Sequence, residues 1–244
     1  MKSILITGCN RGLGLGLVKH LVKQSQPPEN IFATCRDANK AKVRCRSQVI
    51  IFLFKDLTDT KNYDKLVQIV SEKVGNAGLN VLFNNAGVSS KFTRLGLVKE
   101  EQLTQMYFVN TVAPILLTKA FLPLLKLAAN NYEDKSKMNI NRSAVINMSS
   151  TLGSIADNQS GGFYPYRCSK AALNAATKSM SIDLKDDGIL VICLHPGWVR
   201  TDMGGSTAPM DVDTSITNIL NTLSSLTEEN TGSYIQHDGK VLPW

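Results

Sequence analysis

The chain has 244 residues, of which 43% are hydrophobic and 19% charged, a balance that excludes wholesale disorder and allows one large α/β domain or two small ones. Lysine and arginine number 27 against 20 acidic residues, which gives a net charge of +7. That excess indicates a phosphate-bearing ligand, an acidic partner or nucleic acid, without choosing among them.

The cysteines and the apolar runs indicate in which cellular compartment the protein resides. Five cysteines are scattered without a Cys-x-x-Cys pair, which argues against a disulfide scaffold and for a reducing compartment. The apolar run near the amino terminus is too short for a signal peptide. The longest apolar stretch, Val112–Ala129, is interrupted by Lys119, Pro123 and Lys126, so we expect no membrane-spanning helix. We therefore expect a soluble, cytoplasmic protein without a membrane partner.

Short runs rich in Val, Ile and Phe alternate with longer amphipathic stretches. Runs that are apolar throughout are typical of strands covered on both faces of a parallel sheet. The predicted strands are Ser3–Thr7, Asn30–Cys35, Val49–Phe54, Val81–Asn84, Ser143–Met148, Leu190–Leu194 and Ser233–Gln236. The predicted helices are Gly12–Gln24, Asn62–Lys73, Lys99–Ala129, Tyr166–Lys185 and Asp213–Leu226. This alternation predicts one α/β domain over residues 1–244, a doubly wound, seven-stranded parallel sheet, with a surface loop at Asn130–Arg142.

A glycine-rich turn, Gly8-x-x-x-Gly12-x-Gly14, follows the first strand and opens the first helix. Glycines there let the backbone approach a pyrophosphate, whose charge then faces the helix N-terminus. The spacing differs from Gly-x-Gly-x-x-Gly and lacks the Gly-Lys-Ser/Thr ending of a P-loop. A strand–helix turn that merely needs small residues is the alternative interpretation.

The end of the second strand indicates the cofactor variant. An acidic residue there would accept the ribose hydroxyl of NAD, whereas arginine suits the 2′-phosphate of NADP. Here neutral Cys35 is followed by Arg36, and Arg11 adds a second cation from the glycine turn. Both arginines could instead be solvated surface charges. Two cations at the two expected places favour NADPH.

Of six tyrosines, only Tyr166 has a lysine four residues later, Lys170. On a helix these side chains share a face. A nearby ammonium group stabilises phenolate and lowers the tyrosine pKa, so that the tyrosine can donate a proton to a carbonyl oxygen as hydride arrives. As a lone pattern, Tyr-x-x-x-Lys is weak.

Polar residues also follow two other predicted strands, at the edge where open parallel sheets bind ligands. Ser149 and Ser150 follow the fifth strand, where a hydroxyl could hold a substrate carbonyl or simply cap the loop. Asn84-Asn85-Ala86-Gly87 closes the fourth strand. Asn110 lies amid apolar residues within a predicted helix, where asparagine is costly unless its amide has a partner.

Together these motifs resemble the short-chain dehydrogenase/reductase family. The similarity extends from the glycine turn to the carboxyl terminus, and within the family it is greatest to the carbonyl reductases, among them the insect sniffer-like members. The matching motifs are Thr7–Gly14, Asp56-Leu57, Asn84–Gly87, Asn110, Ser150, Tyr166-x-x-x-Lys170, Pro196–Met203 and Asp238–Trp244.

The resemblance implies a Rossmann fold and a role for each matching position. Tyr166 would be the general acid, and Lys170 would lower its pKa and bind the nicotinamide ribose. Ser150, rather than Ser149, would orient the substrate carbonyl. Asn110 would hold a water in a proton relay. Arg11 and Arg36 would bind the 2′-phosphate of the cofactor. Asp56 and Leu57 would contact its adenine, and Asn85 would lie on the adenosine side of the cleft. Val199 and Thr201 would contact the nicotinamide carboxamide. The full implied cofactor site comprises Gly8, Asn10, Arg11, Gly12, Leu13, Gly14, Arg36, Asp56, Leu57, Asn85, Ala86, Gly87, Tyr166, Lys170, Pro196, Gly197, Val199 and Thr201.

Two segments depart from the family pattern. Ser150 and Tyr166 are sixteen positions apart, which enlarges the loop Leu152–Phe163 beside the substrate cleft. The segment between Arg36 and Asp56 is short, so that we expect only a turn near Asn39–Val43. Substrate choice should lie in the enlarged loop and in Met203–Val212, where Gly204-Gly205 suggests a mobile flap.

These observations predict an NADPH-dependent reductase of aldehydes, ketones or quinones acting on a small-molecule carbonyl. A non-catalytic NADPH sensor on the same fold is the alternative, although the constellation of Ser150, Tyr166 and Lys170 is intact. Nucleic-acid binding is not expected, because the basic residues are dispersed. The three histidines lack the spacing of metal ligands. A homodimer through residues 99–129 and 166–185 is a further expectation.

Overall fold

The computed structural model describes residues 1–35, 49–53, 57–90 and 92–244, with residues 49–53 described by their backbone alone. Within these residues, seven strands form one sheet in the order β3-β2-β1-β4-β5-β6-β7, and every pairing is parallel. The strands are β1 Ser3–Ile6, β2 Asn30–Cys35, β3 Val49–Leu53, β4 Val81–Asn84, β5 Ala144–Met148, β6 Leu190–His195 and β7 Tyr234–Gln236. The helices are α1 Gly12–Lys23, α2 Tyr63–Val74, α3 Glu100–Tyr107, α4 Ala113–Asn131, α5 Tyr164–Asp183 and α6 Val212–Ser225.

Helices cover both faces of the sheet because the strands are apolar on both faces. Along β1, Ile4 and Ile6 belong to a core that includes side chains of α1 and α6. Leu5, between them, points to the opposite core, which is built with α2 and α4. Alternate residues of a strand face opposite sides of a sheet, so an uninterrupted apolar run supplies two cores. The predicted doubly wound parallel architecture is confirmed.

The predicted helix Lys99–Ala129 is wrong as a single element. The structure divides it into α3, a π-helical turn at Phe108–Val112, and α4. The side chain of Asn110 in the turn binds the backbone of Val88, outside the helix. Insertions of this kind are common at functional sites. The expected turn at Asn39–Val43 lies outside the described residues.

By length and composition, the stretch Glu100–Asn131 is apolar enough to cross a membrane, with a mean hydropathy of 1.7. Lys119, Pro123 and Lys126, which interrupt the apolar stretch, therefore do not exclude a membrane-spanning helix by length and hydropathy alone. Half of its apolar window is buried inside the protein, and Leu117, Phe121 and Leu125 lie in the core beneath the sheet. This placement is typical of the core helix of a folded domain.

The predicted surface loop Asn130–Arg142 is partly interior. Met138 and Ile140 are buried in the core formed with α1 and α6. The buried Arg142 guanidinium donates hydrogen bonds to the carbonyl oxygens of Ala129, Lys135 and Lys137. Polarity alone misassigned this segment, because an arginine can satisfy the backbone of a loop that it helps to bury.

Candidate active site

The glycine turn lies at the carboxyl end of β1, near the centre of the sheet. Gly8 has a φ of +73°, and a Cβ there would lie 2.9 Å from the Cα of Ala86. A Cβ on Gly14 would overlap the carbonyl oxygen of Gly8 and lie 2.6 Å from Nδ2 of Asn85. The turn therefore needs glycine for packing against the end of β4 as well as for its backbone conformation.

The N-terminus of α1 is open at this turn. Arg11 is the N-cap residue, and within the described residues no side chain caps the helix. The first turn carries no acidic residue. Its N–H groups and the positive end of the helix dipole are thus available to an anion, and the small residues at the turn let one approach. This cradle fits a pyrophosphate.

The charged residues expected to bind the adenosine end are only partly visible. Arg36 and Asp56 lie outside the described residues. Arg11 forms an exposed ion pair with Asp202, with 2.6 Å between Nη1 and Oδ2. The carbonyl oxygen of Leu57 accepts a hydrogen bond of 2.6 Å from the hydroxyl of Tyr63.

Thr7 and Asn85 fasten the glycine turn to the end of β4. The Oγ1 atom of Thr7 accepts hydrogen bonds from the backbone N–H groups of Asn85 and Ala86, at 3.1 and 2.9 Å. Nδ2 of Asn85 donates to the carbonyl oxygen of Thr7 at 2.7 Å. The backbone N–H and the side-chain amide nitrogen of Asn85 thus serve the junction of the two strands.

Asn110 lies fully buried in the π-helical turn, beside Gly87. Its amide group donates to the carbonyl oxygen of Val88 and to Oγ of Ser169, and accepts from the N–H of Val88. Oγ of Ser169 in turn donates to the carbonyl oxygen of Tyr166 at 2.8 Å. Both amide hydrogens are committed, and the side chain ties the backbone just after β4 to the first turns of α5. The role of Asn110 toward a relay water stays a prediction.

The two serines after β5 have different surroundings. Ser149 is buried, and its hydroxyl donates to Oδ1 of Asn174 at 2.6 Å. Ser150 is half-buried at the start of the short turn Thr151–Gly153, and its hydroxyl lies near enough to that of Tyr166 to affect the tyrosine pKa. The structure thus places Ser150 beside Tyr166 and gives Ser149 a partner in the interior.

Tyr166 and Lys170 lie on one face of α5, both buried. The Nζ atom of Lys170 lies 5.9 Å from the Tyr166 ring centroid and donates to the carbonyl oxygen of Met148 at 2.7 Å. Burial lowers the pKa of Lys170 to about 8. Burial also raises the pKa of Tyr166, and the Ser150 hydroxyl opposes that rise. The net shift is upward, opposite to the lowering of the tyrosine pKa expected from Lys170.

A segment after β6, residues 196–202, forms a roof over this edge of the sheet. β6 is separated from β1 by β5 and β4, a distance of about 14 Å at the usual strand spacing. Nevertheless, a Cβ on Gly12 would lie 3.5 Å from Cγ2 of Thr201, so the segment crosses the ends of both strands. The same edge carries the lysine, because a Cβ on Gly87 would lie 3.6 Å from Nζ of Lys170. Val199 is buried in the roof, whose first carbonyl, that of Pro196, accepts from Ser215 at 2.7 Å.

The segment Met203–Val212, expected to be a mobile flap, is fastened by hydrogen bonds. Nε1 of Trp198 donates to the carbonyl oxygen of Gly204 at 2.7 Å, and Nη1 of Arg200 donates to the carbonyls of Ala208 and Pro209. These contacts join the segment to the roof that precedes it.

The enlarged loop Leu152–Phe163 is held by the buried Arg167. Its guanidinium donates to the carbonyl oxygens of Leu152 and Gly161 and to the hydroxyl of Ser160. Phe163, at the end of the loop, packs edge-on against Phe92 with ring centroids 5.1 Å apart. The loop thus has a defined conformation at one wall of the cleft.

Comparison with known proteins identifies the family. The profile described as short chain dehydrogenase matches residues 2–211. The chain belongs to the short-chain dehydrogenase family. Its structure is similar to that of the carbonyl reductase Sniffer of D. melanogaster, with a TM-score of 0.97, 51% identity and 100% of both chains covered. It is also similar to an NADPH-bound carbonyl reductase from chicken fatty liver, with a TM-score of 0.93, 39% identity, and 100% of this chain and 99% of that chain covered.

A relative of known sequence, the C-signal of Myxococcus xanthus, is 39% identical over 166 residues, covering 68% of this chain and 93% of the C-signal. The family resemblance drawn from the sequence motifs is confirmed. This short-chain dehydrogenase is accordingly an oxidoreductase by family.

Two further residues of this short-chain dehydrogenase contact the segment carrying Ser150, and sequence reasoning missed the first of them, Asn174. Asn174 accepts from Ser149, and Nδ1 of His195 accepts from the backbone N–H of Thr151 at 3.3 Å. Burial lowers the pKa of His195 to about 4, which keeps the ring neutral and able to accept this bond. Asn174 could have been noticed, because it follows Lys170 by four residues and so shares its helix face.

Proposed function

We propose that this short-chain dehydrogenase is an NADPH-dependent carbonyl reductase that converts aldehydes, ketones or quinones to alcohols. The observation that carries the proposal is the placement of Ser150, Tyr166 and Lys170 at the same edge of the sheet as a glycine turn that fits a phosphate. The similarity to Sniffer and to the NADPH-bound chicken enzyme supports it.

The residues at this edge of the sheet fit a dinucleotide. The close packing at Gly8 and Gly14 and the open N-terminus of α1 suit the pyrophosphate, whose two negative charges would lie against N–H groups. We propose that Arg11 and Arg36 bind the 2′-phosphate, with Asp56 and Leu57 at the adenine. Arg11 must leave Asp202 to do so, because its guanidinium otherwise forms the ion pair at the roof.

When bound, NADPH supplies the hydride that reaches the carbonyl carbon. Tyr166 donates its phenolic proton to the carbonyl oxygen. Its raised pKa keeps that proton in place at neutral pH, as a general acid requires, and leaves the developing phenolate in need of stabilisation. The hydroxyl of Ser150 hydrogen-bonds the phenolic oxygen and orients the substrate, and the charge of Lys170 favours the phenolate.

The test is the decay of NADPH absorbance against a panel of quinones, diketones and aldehydes, with NADH in parallel. Tyr166→Phe should lower kcat/KM by about 100-fold to 10,000-fold, the range usual for general acids. Tyr164→Phe, two positions earlier on the same helix and partly exposed, is the matched control and should retain activity. NADPH binding without turnover of any carbonyl would overturn the proposal and favour a non-catalytic sensor.

We also propose a homodimer through residues 99–129 and 166–185, which include α3 and most of α5. Between these helices lies an apolar groove of about 260 Å³, lined by Leu103, Thr104, Tyr107, Pro165, Cys168 and Ser169. The side chain of Tyr107 is half exposed there. A partner that buried this groove would remove apolar surface from water. A monomeric mass in sedimentation at micromolar concentration would contradict the proposal.

A further inference from the structure

Ser150 belongs to a short segment, residues 149–153, that we call the serine segment. The hydroxyl of Ser150 lies near that of Tyr166. Among the described contacts, its one printed side-chain hydrogen bond is a weak one, accepted at 3.3 Å from the N–H of Leu152. The position of the Ser150 hydroxyl therefore depends on where the backbone of the serine segment is held.

Asn174 of α5 holds both ends of the serine segment. Its Oδ1 accepts a hydrogen bond of 2.6 Å from the hydroxyl of Ser149, and its Nδ2 donates one of 3.2 Å to the carbonyl oxygen of Gly153. The side chain is 4% exposed, so water does not replace these bonds cheaply. One buried amide thus joins the residues that precede and follow Ser150.

The remaining contacts leave the serine segment little freedom toward or away from α5. A Cβ on Gly153 would lie 2.8 Å from the Cβ of Lys170, so the segment already packs directly on the helix. On the other side, the N–H of Ser149 donates to the carbonyl oxygen of Leu194 at 2.7 Å. Asn174 is the one side chain of α5 that hydrogen-bonds both ends of the segment among the residues that the structure describes.

We propose that Asn174 is a positioning residue that sets the place of the Ser150 hydroxyl relative to Tyr166. The inference rests on the proposed reductase function, since it concerns the same site. Asn174 contacts neither Tyr166 nor the reacting atoms, and it acts through the backbone of the serine segment. A displacement of about 1 Å in a catalytic group can cost on the order of 100-fold in rate.

The decisive experiment is a double-mutant cycle that joins Asn174→Ala with Ser150→Ala. In the wild-type background, Asn174→Ala should lower kcat by about tenfold or more while leaving the Kd of NADPH within about twofold. In the Ser150→Ala background the same change should lower kcat by less than about twofold, because the group it positions is gone. Equal losses in the two backgrounds, or no loss in the wild type, would overturn the proposal.

Thr177→Val is the matched control on the same helix. The Thr177 hydroxyl is buried and hydrogen-bonds Asn147 and Leu173, not the serine segment. It should lower stability, and any effect on kcat should be equal in both backgrounds. If Asn174→Ala does not fold, Ser149→Ala takes its place, because it removes only the 2.6 Å bond to Asn174.

Amide hydrogen exchange of residues 149–153 provides a readout that needs no turnover. Asn174→Ala should accelerate exchange there, while Thr177→Val should not. Absence of turnover in the wild-type protein would count against the reductase function alone. Unchanged exchange in Asn174→Ala would count against the positioning role alone, so the two failures are distinguishable.

Discussion

Burial of Lys170 should make the protein less stable than it would be with an apolar residue at this position. The side chain is 3% exposed, and its pKa falls from the ordinary 10.5 to about 8 through burial. Since a tenfold change in an ionisation equilibrium is worth about 1.4 kcal/mol, the charged form costs the folded state about 3 kcal/mol at pH 7. Lys170→Met removes that cost and also the bond to the Met148 carbonyl, a loss of about 1–2 kcal/mol.

The pH dependence of stability separates the effect of the Lys170 charge from the effect of the lost hydrogen bond. Between the folded pKa of about 8 and the ordinary 10.5, the unfolded chain binds more protons than the folded one, so wild-type stability rises with pH. Wild type should therefore gain about 2 kcal/mol relative to Lys170→Met between about pH 7 and about pH 10. At neutral pH, the variant should be at least as stable as the wild type and inactive as a reductase.

Urea unfolding of both proteins across this pH range measures the difference directly. Other groups that titrate at high pH are shared by the two proteins and cancel to first order. Lys178→Met, at an exposed position of the same helix, is the control and should show a flat difference from the wild type. A flat difference for Lys170→Met as well would refute the reasoning, because it would mean that the ammonium group keeps its hydration in the folded state.

Three further changes probe the candidate active site. Gly14→Ala should lower NADPH affinity by more than about tenfold in a fluorescence titration, because a Cβ there meets Asn85. Arg167→Lys should change the KM for bulky carbonyls several-fold while sparing the Kd of NADPH, because lysine cannot make the three bonds that hold the enlarged loop. Asp202→Asn should alter stability by less than about 1 kcal/mol, as is usual for an exposed ion pair, and should tighten NADPH binding in low salt by freeing Arg11.

The sheet could be predicted from the sequence because its signal is local. The run Val81–Asn84 is apolar at every position but the last, and strands of that kind are stable only when covered on both faces. The glycine turn and the Tyr166–Lys170 spacing are equally local, since a few consecutive residues carry the whole pattern. For the same reason, the seven predicted strands overlap the observed ones closely.

The features that sequence reasoning missed depend on distant partners. The π-helical turn forms where Asn110 bonds Val88, twenty-two positions earlier. Asn174 meets Ser149 across twenty-five positions, and Arg11 meets Asp202 across 191 positions. Hydropathy and secondary-structure propensity are local properties, so they do not predict hydrogen bonds between residues that are distant in sequence. They predicted one helix from residue 99 to residue 129, and they left the role of Asn174 unassigned.

The order in which Tyr166 and Lys170 ionise follows from their shared burial. Burial moves the pKa of the tyrosine upward and that of the lysine down to about 8, so that Lys170 loses its proton first as pH rises. The fall in kcat/KM above about pH 8 should therefore report loss of the Lys170 charge, not ionisation of the general acid. Lys170→Arg keeps the charge at all these pH values and should move this limb upward, whatever its effect on the maximal rate. A limb that stayed near pH 8 in Lys170→Arg would assign it to a group other than Lys170, and the phenol of Tyr166 would then need a lower pKa than its burial allows.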